Sequence, residues 1–161
     1  MKVQGIMTWA VRSCHADDTL AEAARIMWEA DVGCLPVISA DGRVTSVITD
    51  RDITMASLFS GRPLQQQKVS EAMSRTLATV LEEDEMGVVE DTMRSAQIHR
   101  IPVVNAAGYL RGIITLNDLA HHRHGKLIGE GVSAEEVASA LAVISCPRTH
   151  QESTSAPRMA A

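Results

Sequence analysis

The chain repeats itself at an interval of roughly 66 residues, and this constrains its fold more than any other feature. Val3 falls on Val69, Met7 on Met73 and Met27 on Met93. Pro36-Val37 falls on Pro102-Val103, Gly42 on Gly108, Ile48-Thr49 on Ile114-Thr115, and Asp52 on Asp118. About a dozen identical pairs occur over roughly fifty positions with no gap, which is the signature of a duplicated unit. A unit this short is marginal alone, because it cannot cover both faces of its sheet.

Both copies share one grammar. In the first, Asp17-Asp18-Thr19 with Glu22 reads as a helix start with a capping box. Leu20, Ala23, Ala24, Met27 and Ala30 then recur at helical spacing. Cys34 to Ile38 reads as a strand, Asp41-Gly42 as a turn, and 44–48 as a second strand. Thr49 to Asp52 opens a second helix. In the second copy Met86, Val89, Met93 and Ala96 make the helix face. A strand over 101–104, a turn at Ala107-Gly108, a strand over 110–114 and a helix from Thr115 follow. Short leading strands are expected near 11–14 and 77–80. The fold class is therefore α/β, in the α+β sense: two β-α-β-β-α repeats packed sheet to sheet through a pseudo-twofold axis. The repeats are placed at 1–62 and 63–124, joined by a short polar linker over 61–67. A C-terminal extension, 125–161, is expected to hold a helix near 133–145, capped by Ser133 with Glu136, and then a disordered tail.

Composition narrows the function. Hydrophobic residues make up 45% of the chain but aromatics only 2%, so the core must be aliphatic. A base-stacking surface needs exposed rings, and a phosphate-backbone binder is normally basic; this chain carries a net charge of -5. General nucleic-acid binding is not expected. Met1 to Gly5 lacks a following apolar segment, and no apolar run approaches a membrane span, so neither a signal peptide nor a membrane anchor is expected. Cys14, Cys34 and Cys146 are scattered and odd in number, which fits a reducing cytoplasm.

The residues that carry chemistry are Thr49-x-x-Asp52 and Thr115-x-x-Asp118, each where a strand hands over to a helix. As structure alone, Thr caps the helix and Asp complements its dipole. As a site, the helix start offers N–H groups to a phosphate, and the carboxylate accepts from ribose hydroxyls. Val47, Ile48, Ile113 and Ile114 stand beside them to enclose an adenine. Occurrence of the pair in both copies favours the site reading.

The Met-Thr/Ser segment near each start, the Pro-Val strand, the Gly turn and the final Ile-Thr-x-x-Asp, all in order and twice, resemble the cystathionine-β-synthase (CBS) domain. Two such domains in tandem form a Bateman module, and the resemblance covers about 1–124. His99-Arg100-Ile101-Pro102-Val103 is similar to a segment of the γ subunits of AMP-activated protein kinases, where the His and Arg approach phosphates. The resemblance implies sites assembled across the two repeats. One would use Thr49, Arg51 and Asp52 with Thr79, Val80, Ile98, His99, Arg100 and Pro102. The other would use Ile114, Thr115, Asn117 and Asp118 with Ser13, Cys14, Cys34 and Leu35. The copies depart from one another at Gly33-Cys34 against His99-Arg100 and at Ser46 against Gly112. The Asp52 cleft is accordingly expected to be the one that takes a charged nucleotide.

The resemblance implies a cytoplasmic regulatory sensor rather than an enzyme. Its ligand would be AMP, ADP or ATP, with NAD or S-adenosylmethionine as alternatives, and no catalytic cofactor or metal is expected. A homodimer paired through 53–59 and 119–124 and an unknown regulated protein are the implied partners. The rival reading is a dimerisation module without a nucleotide. His121-His122-x-His124 is read as a solvated helix end, and Asp17, Asp18 and Glu82 to Glu85 as helix-start charges rather than a calcium loop.

Overall fold

A computed structural model of the protein describes residues 2–127, with side chains to residue 121. The chain runs β1 (Thr8–Trp9), β2 (Cys14–His15), α1 (Leu20–Ala30), β3 (Cys34–Ile38), β4 (Val44–Thr49) and α2 (Asp50–Ser60). It continues through α3 (Val69–Ala72), β5 (Val80–Leu81), α4 (Met86–Ala96), β6 (Arg100–Val104), β7 (Leu110–Thr115) and α5 (Leu116–Leu127). Short 3-10 turns precede β1 and α3, at Val3–Gly5 and Leu64–Gln66. The helix expected near 133–145 lies outside the described residues.

The duplication is realised in the backbone. One sheet has the order β2-β3-β4 and the other β1-β7-β6-β5. In each, the short leading strand pairs parallel to the middle strand, which pairs antiparallel to the last. Irregularities recur at Val37/Ile38 and Val103/Val104. The first helix of each copy ends on a left-handed residue, Asp31 at φ 52 and Gln97 at φ 51. The two hairpin turns use glycine at φ 86, Gly42 and Gly108, where an L side chain would be strained.

The hairpins meet across the pseudo-twofold axis. Val44 N–H donates to Gly108 O at 3.1 Å, and Leu110 N–H donates to Gly42 O at 3.5 Å. Arg43 lies over the Tyr109 ring, 5.5 Å from its centre.

Each copy's lead-in segment closes the other copy's core. Val3 N–H donates to Asp84 O at 2.9 Å, and its counterpart Val69 N–H donates to Asp18 O at 2.8 Å. Thr8 pairs with Ile113 on β7, while Ser74 N–H donates to Val47 O on β4. One core therefore gathers Val3 and Met7 with Val80, Val89, Ile101 and Ile114. The other gathers Val69 with Cys14, Leu20, Leu35, Val37 and Ile48. Both are aliphatic, as the shortage of aromatics requires.

The exchange explains one departure between the copies. A Cβ at Gly112 would stand 2.6 Å from Thr8 O and 2.9 Å from Met7 Sδ, so β1 can dock on β7 only if residue 112 is glycine. At the matching place in copy one, Ser46 is buried and its Oγ donates to Ser74 O at 2.6 Å.

Some local expectations are corrected. The leading strands fall at Cys14–His15 and Val80–Leu81, at the far end of the expected stretches. The linker is exposed at Gly61, Arg62, Pro63, Gln65 and Gln66, but its last residue is anchored. Gln67 is 2% exposed, its Nε2 donates to Arg62 O at 2.7 Å, and its carbonyl accepts from Leu20 N–H. Thr19 caps α1 through Glu22 N–H, but the Glu22 side chain pairs with Arg25 instead of completing a box. Ala96 is exposed, so the buried face of α4 is Val89 and Met93. The acidic residues have local roles: His15 N–H donates to Asp18 and Leu81 N–H to Asp84, while Glu82 pairs with Arg111 and Asp17 with Lys68.

Candidate functional site

The strand-to-helix junctions β4–α2 and β7–α5 are built alike. At the first, Asp52 N–H donates to Thr49 Oγ1 at 3.2 Å. Asp52 Oδ2 accepts from Thr49 N–H at 2.9 Å and from Thr49 Oγ1 at 2.7 Å. At the second, the same three bonds join Asp118 to Thr115 at 3.3, 2.7 and 2.7 Å. Both capping boxes are complete, so the Thr-x-x-Asp pattern has a structural role in each copy. All the cap bonds to each carboxylate fall on Oδ2. Among the described residues the second oxygen, Oδ1, accepts no hydrogen bond, and both aspartates are half-buried rather than sealed.

The helix starts differ in what they leave for an anion. On α2, Asp50 N–H donates to Gly33 O at 3.3 Å, Arg51 N–H to Asp50 Oδ1 at 2.8 Å, and Asp52 N–H to Thr49 Oγ1. The unpaired N–H groups expected there are therefore already taken by the chain itself. On α5, Leu116 N–H donates to His99 O at 2.9 Å and Asp118 N–H to Thr115 Oγ1, while Asn117 N–H has no partner among the described residues.

Arg100 crosses from the second repeat to the first. It sits on β6 beside Thr115, yet its Nη1 reaches Gly33 O at 3.5 Å. A Cβ at Gly33 would lie 3.0 Å from Asp50 Oδ2 and 3.5 Å from Arg100 Nη2, so the glycine lets these opposite charges approach the same point. The matching residue of copy two, His99, is exposed.

The remaining residues of the expected sites fall into two groups. Cys14, Cys34, Leu35, Val80, Pro102 and Ile114 are buried in the two sheets. Cys34 lies opposite Thr49 in the β3–β4 ladder, within its own repeat. Ser13 and Ile98 are half-buried, while Thr79, Arg51 and Asn117 are exposed. Burial pushes the Cys34 thiol up to about 11; Arg100 opposes the shift, and Asp52 and Asp50 add to it. Burial likewise raises Cys14 to about 12, with Asp18 and Cys34 adding. Both thiols are protonated at neutral pH and shielded, which makes them apolar filling rather than nucleophiles.

A cleft of about 410 Å³ opens beside this corner, between the end of α1 and the start of α2. Gly33 and Asp50 line it with Met27, Trp28, Asp31 and Val32. Neither Gly33 nor Asp50 stands among the expected site residues. The signal that would have found Asp50 was its replacement by Leu116 in copy two. Among the described residues, no three His, Cys, Asp or Glu side chains gather as a metal cluster. The side chains of His122 and His124 lie outside the described residues.

The family model for the CBS domain matches residues 3–58 and 69–125. The chain belongs to the CBS domain family. Its two CBS domains are the two copies described above. The chain is 33% identical over 148 residues to the CBS domain-containing protein YhcV of Bacillus subtilis, covering 92% of this chain and 98% of that one. A CBS domain pair solved in complex with 5′-methylthioadenosine and S-adenosyl-L-methionine superposes with a TM-score of 0.70 at 26% identity, covering 78% of this chain and 98% of the other. Hypoxic Response Protein I, solved with two coordinated zinc ions, superposes with a TM-score of 0.70 at 30% identity, covering 76% and 98%. No helix among the described residues is long and apolar enough to cross a membrane.

Proposed function

We propose that this CBS pair is a non-catalytic regulatory module that binds a small adenosine-containing ligand between its two repeats. The observation that carries the reading is the pair of half-buried Thr-x-x-Asp boxes, each with one carboxylate oxygen turned over to the cap and the other uncommitted. A carboxylate held in this way is pre-oriented to accept from ribose hydroxyls without losing its cap. The adenine would lie against the strand backbone around Val80, Ile98 and Pro102 for the Asp52 cleft. For the Asp118 cleft it would lie around Cys14, Cys34 and Leu35, where buried side chains leave only main-chain groups to read it. The CBS pair solved with 5′-methylthioadenosine and S-adenosyl-L-methionine supports this class of ligand. AMP, ADP, ATP and NAD share the same adenosine half.

Occupancy would be relayed by self-association in the cytoplasm or by a separate regulated protein. The outward face of α1 and α2 supports pairing with a second copy. Trp28 is 88% exposed, Leu58 69% and Phe59 80%, an apolar group that water does not favour. Ile53 and Leu119 belong instead to the two cores.

Thermal unfolding of ligand-free protein against a panel of adenosine ligands tests the proposal. A ligand that binds the folded chain raises the midpoint in proportion to the logarithm of its concentration. No shift with any member at millimolar concentration contradicts it.

A further inference from the structure

A helix start ordinarily holds an anion through its free N–H groups and its positive dipole end. On α2 that place is filled from within: Asp50 Oδ1 takes Arg51 N–H at 2.8 Å, and Asp50 N–H is bound to Gly33 O. Arg100, from β6, also reaches this corner, where its Nη1 donates to Gly33 O at 3.5 Å. Asp50 Oδ2 and Arg100 Nη2 lie 3.0 and 3.5 Å from the point a Gly33 Cβ would occupy. The 410 Å³ cleft that leads away from the corner adds Asp31 and, among the residues that line it, no basic side chain. Met27, Trp28, Val32 and Ile53 give it an apolar wall, with Thr54 beside them. Copy two has Leu116 where copy one has Asp50, so this acidic device belongs to one cleft alone.

From this juxtaposition we infer that Asp50 sets the charge selectivity of the Asp52 cleft, which takes an adenosyl ligand with a neutral or cationic 5′ substituent and rejects a polyphosphate. A ribose seated on Asp52 Oδ1 directs its 5′ substituent past the first turn of α2, toward Asp50 and the apolar cleft. A sulfonium or thioether there meets a carboxylate or an apolar wall. A triphosphate meets Asp50 and Asp31, while Arg100 Nη1 is turned to the Gly33 carbonyl. This inference rests on the ligand-binding reading above and reverses the expectation that this cleft favours a charged nucleotide.

Titration calorimetry on the full chain carrying Asp118→Asn, which keeps its cap while weakening the other cleft, isolates the Asp52 cleft. The probes are 5′-methylthioadenosine, S-adenosylmethionine, AMP and ATP at one ionic strength. The first two are expected to bind at least about tenfold more tightly than ATP, a difference of about 1.4 kcal/mol. Adding Asp50→Asn should tighten ATP about tenfold, weaken S-adenosylmethionine comparably, and leave 5′-methylthioadenosine nearly unchanged. Asp50→Ser, which retains an acceptor for the Arg51 N–H, should act in the same direction if the asparagine variant folds poorly. ATP binding as tightly as 5′-methylthioadenosine, or the Asp50 variants moving all four ligands alike, overturns the inference and leaves the ligand-binding proposal standing. A chain that binds none of the four overturns both.

Discussion

Arg100 on β6 donates to the carbonyl of Gly33, 3.5 Å away in the other repeat. In the aligned copies the residue before Arg100 is His99, and it is Gly33 that matches His99. The duplicated chain has thus kept the backbone of both copies and changed one corner, where a missing side chain in copy one admits a charged one from copy two.

Two glycines of this chain should respond differently to alanine. At Gly33 the nearest atoms are the ends of the Asp50 and Arg100 side chains, which can swing aside, so Gly33→Ala should cost less than about 1 kcal/mol. At Gly112 the nearest atom is a backbone oxygen, 2.6 Å from the added carbon. Gly112→Ala should therefore destabilise the chain by about 1–3 kcal/mol by prying β1 off β7. Urea unfolding of the two variants gives the comparison, and equal losses would contradict this account of the exchanged strand.

Removing residues 1–9 should loosen the second repeat before the first. Val3 and Met7 are buried in the core of β5, β6, β7 and α4, not in the core nearest in sequence. Hydrogen exchange should show lost protection across Ile101–Val104 and Val89–Met93, with Leu35–Val37 retained. Loss confined to the first repeat would contradict the crossed packing.

Thr49→Ala and Thr115→Ala should each cost about 1 kcal/mol, because each removes one side-chain cap of the same geometry. Among the described residues no hydrogen bond joins Thr49 or Asp52 to Thr115 or Asp118, so the double variant should lose about the sum. Thermal or denaturant midpoints of the three variants test this, and a non-additive loss would show the junctions to be coupled.

The buried thiols set an alkaline limit. Burial raises Cys34 from 9.0 to about 11, so between these values the unfolded chain gives up a proton that the folded chain keeps. Stability is full below pH 9.0 and falls as pH rises toward about 11, with Cys14 acting in the same direction up to about 12. In a Cys146→Ser background, native protein at pH 8 should resist a thiol reagent, and urea should release both thiols. Rapid labelling of the native chain would contradict the burial.

The fold was legible because its duplication, helix spacing and turn glycines are local patterns in one strand of text. The β3 limits Cys34–Ile38 and both Thr-x-x-Asp caps could be read directly from residue type and spacing. The crossed lead-in segments could not, because Val3 and Val69 look equally like parts of their own copies. Only the partner sheets decide where these residues are buried. The site was legible at Asp52 and Asp118, but the roles of Asp50 and Gly33 depend on Arg100 arriving from a strand far along the chain. No spacing rule contains that approach.

The central claim is that the two uncommitted carboxylate oxygens hold an adenosine ligand. Calorimetric binding of 5′-methylthioadenosine to the wild-type chain and to the Asp52→Asn/Asp118→Asn double variant tests it most directly. Asparagine keeps an acceptor for the cap, so the variant should unfold within about 1 kcal/mol of the wild type. The account predicts saturable binding in the wild type and at least about a tenfold loss in the double variant. Equal affinity in the two proteins, or no binding in either, would contradict it.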